Sequence, residues 1–174
     1  MSIWYFAYGS NMELATFSGR REIAFTQALP ARADGWRLVL DKPPLVPMGC
    51  SFANIIADPT SYLYGVAYEI DQDGFAHLEL TEGVPIGNYQ RVEITVSPLR
   101  RASEPLLTYT LVSERRDPQL LPSERYLGCL INGALEHGLP ADWIAHLRSQ
   151  QRQPETKAEK LLRPLLDGGL RRMR

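Results

Sequence analysis

The chain has 174 residues and a formal net charge of −1. That length supports one hydrophobic core without staples, and the charge balance excludes a general attraction to nucleic acid or to an anionic membrane. Its two cysteines, Cys50 and Cys129, are too few for a disulfide framework and lack metal-type spacing.

In chain order, the apolar run Ile3-Trp4-Tyr5-Phe6-Ala7 predicts a first strand, ending in Tyr8-Gly9-Ser10-Asn11. Gly9 permits a sharp turn, and Ser10 to Glu13 has the S-x-x-E spacing of a capping box. A strand turning through glycine into a helix start aims several backbone N–H groups at one spot, a site for a carboxylate or an oxyanion. The plainer alternative is a well-capped connection. Met12 to Phe17 reads as a short helical turn ended by Arg20-Arg21. Glu22 to Ala33 reads as two short strands or one bent one around Pro30, and Trp36 to Asp41 as a firmer strand. Lys42 to Cys50, with Pro43, Pro44, Pro47 and Gly49, reads as a loop. Phe52 to Ala57 predicts a strand stopped by Asp58-Pro59, and Tyr62 to Ile70 a separate, clearer one.

Asp71 and Asp73 offer a helix start, with a stop at Gly83. Strands over Tyr89 to Val96 and Leu106 to Val112 follow. Tyr126, Leu127, Leu130, Ile131, Ala134 and Leu135 then fall at helical spacing before Gly138, and Pro140 begins a second helix. This order predicts an α+β chain, a small mixed β-barrel with flanking helices, as one domain over residues 1–148. Residues 149–174 form a tail, either a docked helix or a partly disordered segment, ending in the basic cluster Arg171-Arg172-Met173-Arg174. There is no signal pattern at the start and no bilayer-length apolar run, so a cytoplasmic protein is expected.

Glu82 occupies an unusual place. It shares a helix face with Phe75 and Leu78, at i, i+3 and i+7, and it is the last residue before Gly83. An inward-facing carboxylate at the negative end of a helix dipole is poorly placed as an anion and suited to general acid/base work. Its structural alternatives are a frayed, solvated end or an ion pair with an arginine such as Arg91. Tyr89, Tyr109 and Tyr126 each read, alone, as core tyrosines.

Together these segments resemble the γ-glutamylcyclotransferase-like proteins, also called the AIG2-like or butirosin-type cyclotransferase group. The resemblance is carried by Tyr5-Phe6-Ala7-Tyr8-Gly9-Ser10-Asn11, by Glu82-Gly83-Val84 with Gly87 and Tyr89, and by Tyr64-Gly65-Val66. Tyr126, Gly133-Ala134 and Glu136-His137-Gly138-Leu139-Pro140 extend it to about Leu147. It implies a small closed barrel with a pocket at one end, Glu82 as catalytic acid/base, and Tyr8, Gly9, Ser10 and Asn11 as the substrate-cradling loop. Tyr89, Tyr109 and Tyr126 match positions that line the pocket in relatives. The glutathione-specific branch has another pattern after its Gly-Ser pair, so Asn11 separates this chain from it.

The reaction implied is intramolecular: the α-amino group of a γ-glutamyl unit attacks its own side-chain carbonyl, giving 5-oxoproline and a free amino acid or amine. It needs proton transfer but no metal or organic cofactor, and His77, His137 and His146 are not spaced as ligands. The expected partner is a small γ-glutamyl compound, with no nucleic acid or membrane, and a homodimer is left open. Two alternatives stand beside this: a cyclotransferase for a different γ-glutamylated metabolite, or a non-catalytic barrel binding a small anion or a partner protein.

Overall fold

In a computed structural model that describes residues 2–99 and 104–169, the strand-forming segments close into a barrel of order β1-β3-β2-β4-β5. The strands are β1 (Ser2–Ala7), β2 (Gln27–Lys42), β3 (Phe52–Asp71), β4 (Gln90–Pro98) and β5 (Leu106–Val112). Neighbouring strands run antiparallel except at the seam, where β1 meets β5 in parallel at Tyr5 and Tyr109. The helices are α1 (Gln72–Glu82), α2 (Glu124–Glu136), α3 (Ala141–Ser149) and α4 (Lys157–Gly169). The α+β mixed barrel with flanking helices expected from the sequence is the architecture observed.

The barrel is built from fewer, longer strands than the turn signals suggest. The segments around Pro30 and Trp36 form one strand, β2, of 16 residues, and those on either side of Asp58-Pro59 form β3, of 20. The Asp-Pro step does not end β3 because it lies in a bulge, where pairing shifts from Trp36↔Ala57 to Asp34↔Tyr62. Gly35, at φ +80°, absorbs the kink on the opposite strand. The Asp58 carboxylate closes the bulge with bonds to Thr60 N–H at 3.1 Å and to the Thr60 and Ser61 hydroxyls, both at 2.8 Å.

Helix α1 starts and stops as its sequence predicts. Asp71 caps it, Oδ1 accepting from Gly74 N–H at 2.6 Å, and Gly83 ends it in the left-handed conformation at φ +75°. The first connection differs from expectation. Ser10–Met12 is a single 3₁₀ turn, followed by a wide π-type turn over Ala15–Arg20. No capping box forms there, since Ser10 lies inside the 3₁₀ turn and the Glu13 carboxylate is claimed by the Thr16 hydroxyl and the Asn132 amide instead.

Helix α2 is what holds this connection. Asn132 and Glu136 reach it, Glu136 accepting from Leu14 N–H at 2.8 Å, and Gly133 packs directly on the Met12-Glu13 backbone. The tail runs back over the molecule. Gln153 bridges to Pro122 and Glu124 through backbone bonds, Thr156 bonds the Met48 carbonyl at 2.6 Å, and buried Glu159 of α4 accepts from Ser123 and Arg125. The basic cluster of residues 171–174 lies outside the described residues. No helix among them is long and apolar enough to cross a membrane.

Candidate active site

Three strand ends and two helix ends meet around a cavity of about 310 Å³ at one end of the barrel. The end of β1 delivers Tyr8 to Asn11, the start of β3 delivers Phe52 and Ala53, and the end of β2 delivers Lys42. The C-terminus of α1 supplies Thr81 and Glu82, and the N-terminus of α2 supplies Tyr126. Glu82 therefore reaches the wall from the element and the face that its spacing indicates.

The Glu82 carboxylate is not solitary. Its Oε1 accepts from Arg21 Nη2 at 2.5 Å and from Asn11 Nδ2 at 3.0 Å. Arg21 is only 7% exposed, against 18% for Glu82, and it spends its other donors on the Asn11 side-chain oxygen, Oδ1, at 2.8 Å and the Thr81 hydroxyl at 2.6 Å. The guanidinium offsets both the burial of a carboxylate and the negative end of α1. The arginine paired with Glu82 is thus Arg21 rather than Arg91, which bridges to Glu79 at 3.3 Å. Oε2 of Glu82 has no hydrogen-bond partner among the described residues, leaving one oxygen free at the cavity wall.

The tyrosines around it are held as neutral phenols. Tyr8 donates to the Leu111 carbonyl at 2.5 Å and Tyr89 to the Ala53 carbonyl at 3.3 Å, while the Tyr126 oxygen accepts from Ala53 N–H at 3.0 Å. Burial, reinforced by nearby Glu82, raises the pKa of Tyr5, Tyr8, Tyr89 and Tyr126 well above that of a free phenol. None of them is a base near neutral pH, and all four shape and orient.

Gly9 sits against this group, at φ −110° and ψ −146°. Its lack of a side chain matters for space rather than for handedness: a Cβ there would stand 3.2 Å from the Tyr126 hydroxyl and 3.3 Å from Ala53 Cβ. The N–H groups of Ser10 and Asn11 donate to no carbonyl among the described residues.

Of the residues singled out from sequence, Tyr8, Gly9, Ser10, Asn11, Glu82, Tyr89 and Tyr126 all line the cavity. Tyr109 does not. It lies along β5 under α1, its ring 5.8 Å from that of Phe75 and covered by the Arg91 guanidinium at 5.3 Å. It is a packing residue outside the cavity wall.

Sequence reading missed Arg21, Lys42 and Asn88. Arg21 looked like the end of a helical turn and Lys42 like the first residue of a proline-rich loop. Nothing in their local spacing points inward, because what buries them is tertiary. Other lining residues were missed too: Pro44, Leu45, Val46 and Met48 after β2, and Arg163 and Asp167 of α4. No three or more His, Cys, Asp or Glu residues group as metal ligands among the described residues.

The profile of the AIG2-like family matches residues 62–147. A γ-glutamyl cyclotransferase of Aspergillus oryzae, aclK, is 32% identical over 181 residues, covering 91% of this chain and 66% of the relative. The chain belongs to the γ-glutamylcyclotransferase-like, AIG2-like family. The bovine γ-glutamylcyclotransferase, another relative, is 28% identical over 85% of this chain and 78% of its own length. This chain thus spans about two thirds to four fifths of the length of these two relatives. A solved γ-glutamyl cyclotransferase superposes with a TM-score of 0.76 over 94% of this chain and 99% of its own, at 22% identity. A yeast γ-glutamyl cyclotransferase described as specific to glutathione gives 0.61 over 84% and 93%, at 15% identity. At those identities the likeness is one of fold, and it places this barrel with its flanking helices in the same family architecture.

Proposed function

We propose that the protein is a γ-glutamyl cyclotransferase that releases 5-oxoproline and a free amino acid or amine. The observation that carries this reading is the junction of two distant segments. Asn11, in the turn after β1, bonds Glu82, at the end of α1, across 71 positions of sequence, and both line one cavity. A site for this chemistry needs a proton-transfer group beside a cradle of donors, and little else, because nucleophile and electrophile belong to the same substrate.

In this mechanism Arg21 and Asn11 hold Oε1, and the free Oε2 takes a proton from the substrate α-ammonium. The amine then attacks the γ-carbonyl and closes a five-membered ring. The Ser10 and Asn11 N–H groups face the oxygen that gains charge. Glu82 returns the proton to the leaving nitrogen as the amide bond breaks, and the second proton shed by the ring nitrogen passes to the released amine, which departs as an ammonium, so the protein ends in its starting state. A well-placed acid/base of this kind supplies roughly 10²–10⁴-fold.

One observation favours a different reading, a non-catalytic barrel that binds a small anion. The Arg21–Glu82 pair at 2.5 Å is what a purely structural ion pair would also form. Glu82→Gln separates the two. It keeps the bonds from Arg21 and Asn11 in shape but removes the base, so 5-oxoproline release from γ-glutamyl amino acids should fall at least about 100-fold with the circular dichroism spectrum unchanged. A variant retaining full turnover removes Glu82 from the chemistry.

A further inference from the structure

Lys42, the last residue of β2, is an ammonium buried to 2% exposure on the cavity wall. A buried ammonium needs bonds for three donors and a counter-charge. Among the described residues Lys42 has one bond, to the Asn88 side-chain oxygen at 2.7 Å, with its charge 4.5 Å from the Tyr89 ring centroid. That oxygen also accepts from Arg115 at 2.9 Å, so two cations share one neutral acceptor. The groups facing Lys42 are thus Glu82 from α1, Asn88 and Tyr89 before β4, and Arg115 after β5. Among the described residues no carboxylate lies within ion-pair distance of it, and Glu82 is already matched by Arg21.

Burial is the main force lowering the pKa of Lys42, to about 8; nearby Glu82 opposes the fall and Arg115 adds to it. This part of the cavity wall therefore carries a positive charge with no ion-pair partner among the described residues. It lies close to the candidate base, because the Asn88 amide that accepts from Lys42 donates to the Glu82 main-chain carbonyl at 2.8 Å.

We propose that Lys42 anchors a carboxylate of the γ-glutamyl substrate on the cavity wall, beside Glu82. The inference rests on the cyclotransferase reading and names the charge that this chain requires of its substrate. An incoming carboxylate completes the bonds of the ammonium and supplies the missing counter-ion. Two carboxylates are available in a γ-glutamyl amino acid, one on the glutamyl α-carbon and one on the leaving group. A γ-glutamyl amine carries only the first.

Steady-state 5-oxoproline release from a panel of both compound types tests this with wild type, Lys42→Met and Lys42→Arg. Losing a charge-assisted bond costs about tenfold or more in binding, so Lys42→Met should raise KM by about that factor and leave kcat within about threefold. Equal losses on both types assign the α-carboxylate, leaving the loop N–H groups for the attacked carbonyl. A loss confined to the amino-acid compounds assigns the leaving group. The wild-type kcat/KM should fall as pH rises through about 8, where free Lys42 loses its charge, and Lys42→Arg should displace that fall to higher pH. Lys42→Met with unchanged KM on both types overturns the inference and leaves the cyclotransferase reading standing. A wild type inactive on the whole panel removes that reading, and the inference with it.

Discussion

Arg21 decides how Glu82 behaves. A carboxylate turned inward at the C-terminus of a helix is expensive unless a cation meets it, and the cation comes from a turn 61 positions away. Arg21→Met should cost about 3–5 kcal/mol of stability, since it strands a largely buried charge; thermal denaturation reads this directly. The same variant should also lower kcat at temperatures where it stays folded, because the candidate base loses the guanidinium that holds its Oε1. Glu82 was legible in the sequence because helical spacing put it on the face of Phe75 and Leu78. Arg21 was not, because its neighbour Arg20 turns elsewhere, to Asp167 and Glu13, and no periodicity distinguishes the two.

The connection after β1 shows how an element can be stiffened from outside. The S-x-x-E spacing suggests that Ser10 and Glu13 brace each other, but the bracing comes from α2. Burial raises the Glu13 pKa, yet bonds from Thr16, Asn132 and Cys129 and the charge of Arg20 outweigh that and leave it below the ordinary carboxyl value. With its folded pKa depressed, Glu13 adds stability above the unfolded pKa and loses it as pH falls through the lower folded one. Gly133 is the contact point, for a Cβ there would stand 2.6 Å from Glu13 N and Met12 C. Ala within a helix ordinarily gains roughly 1 kcal/mol over Gly, but the collision is with backbone, so Gly133→Ala should instead destabilise by about 1–3 kcal/mol and raise KM. Chemical denaturation and KM together check it. The helix itself was readable from its apolar spacing, whereas the residue facing the connection was not, since a glycine's partner leaves no mark in the local pattern.

At the scale of the whole molecule, the barrel was legible as many strands followed by helices, and the mixed architecture follows from that order. The strand count was not. Asp58-Pro59 is a stop signal by itself, and the bulge that carries β3 past it depends on hydrogen bonds from Thr60 and Ser61 and a kink in another strand. The C-terminal segment is also more integrated than its polar start suggests, because its buried acid, Glu159, meets Ser123 and Arg125. As α4 lines the cavity, Glu159→Ala should loosen that wall. Limited proteolysis should then cut within residues 149–169 sooner, and selectivity among leaving groups should weaken while the barrel's far-ultraviolet signal persists.

The parallel seam between β1 and β5 has a consequence for assembly. β1 is made first, yet its partners come from residue 66 onward and, at the seam, from residue 109. Contacts that far apart in sequence are slow to find because the intervening chain must first be ordered. The long β2–β3 hairpin, by contrast, joins segments adjacent in sequence and can pair before anything else is present. During synthesis, then, the segment bearing Tyr8 to Asn11 waits unpaired until most of the chain has emerged. The cavity that this segment lines is complete only at the end of folding, once both edges of the sheet have met.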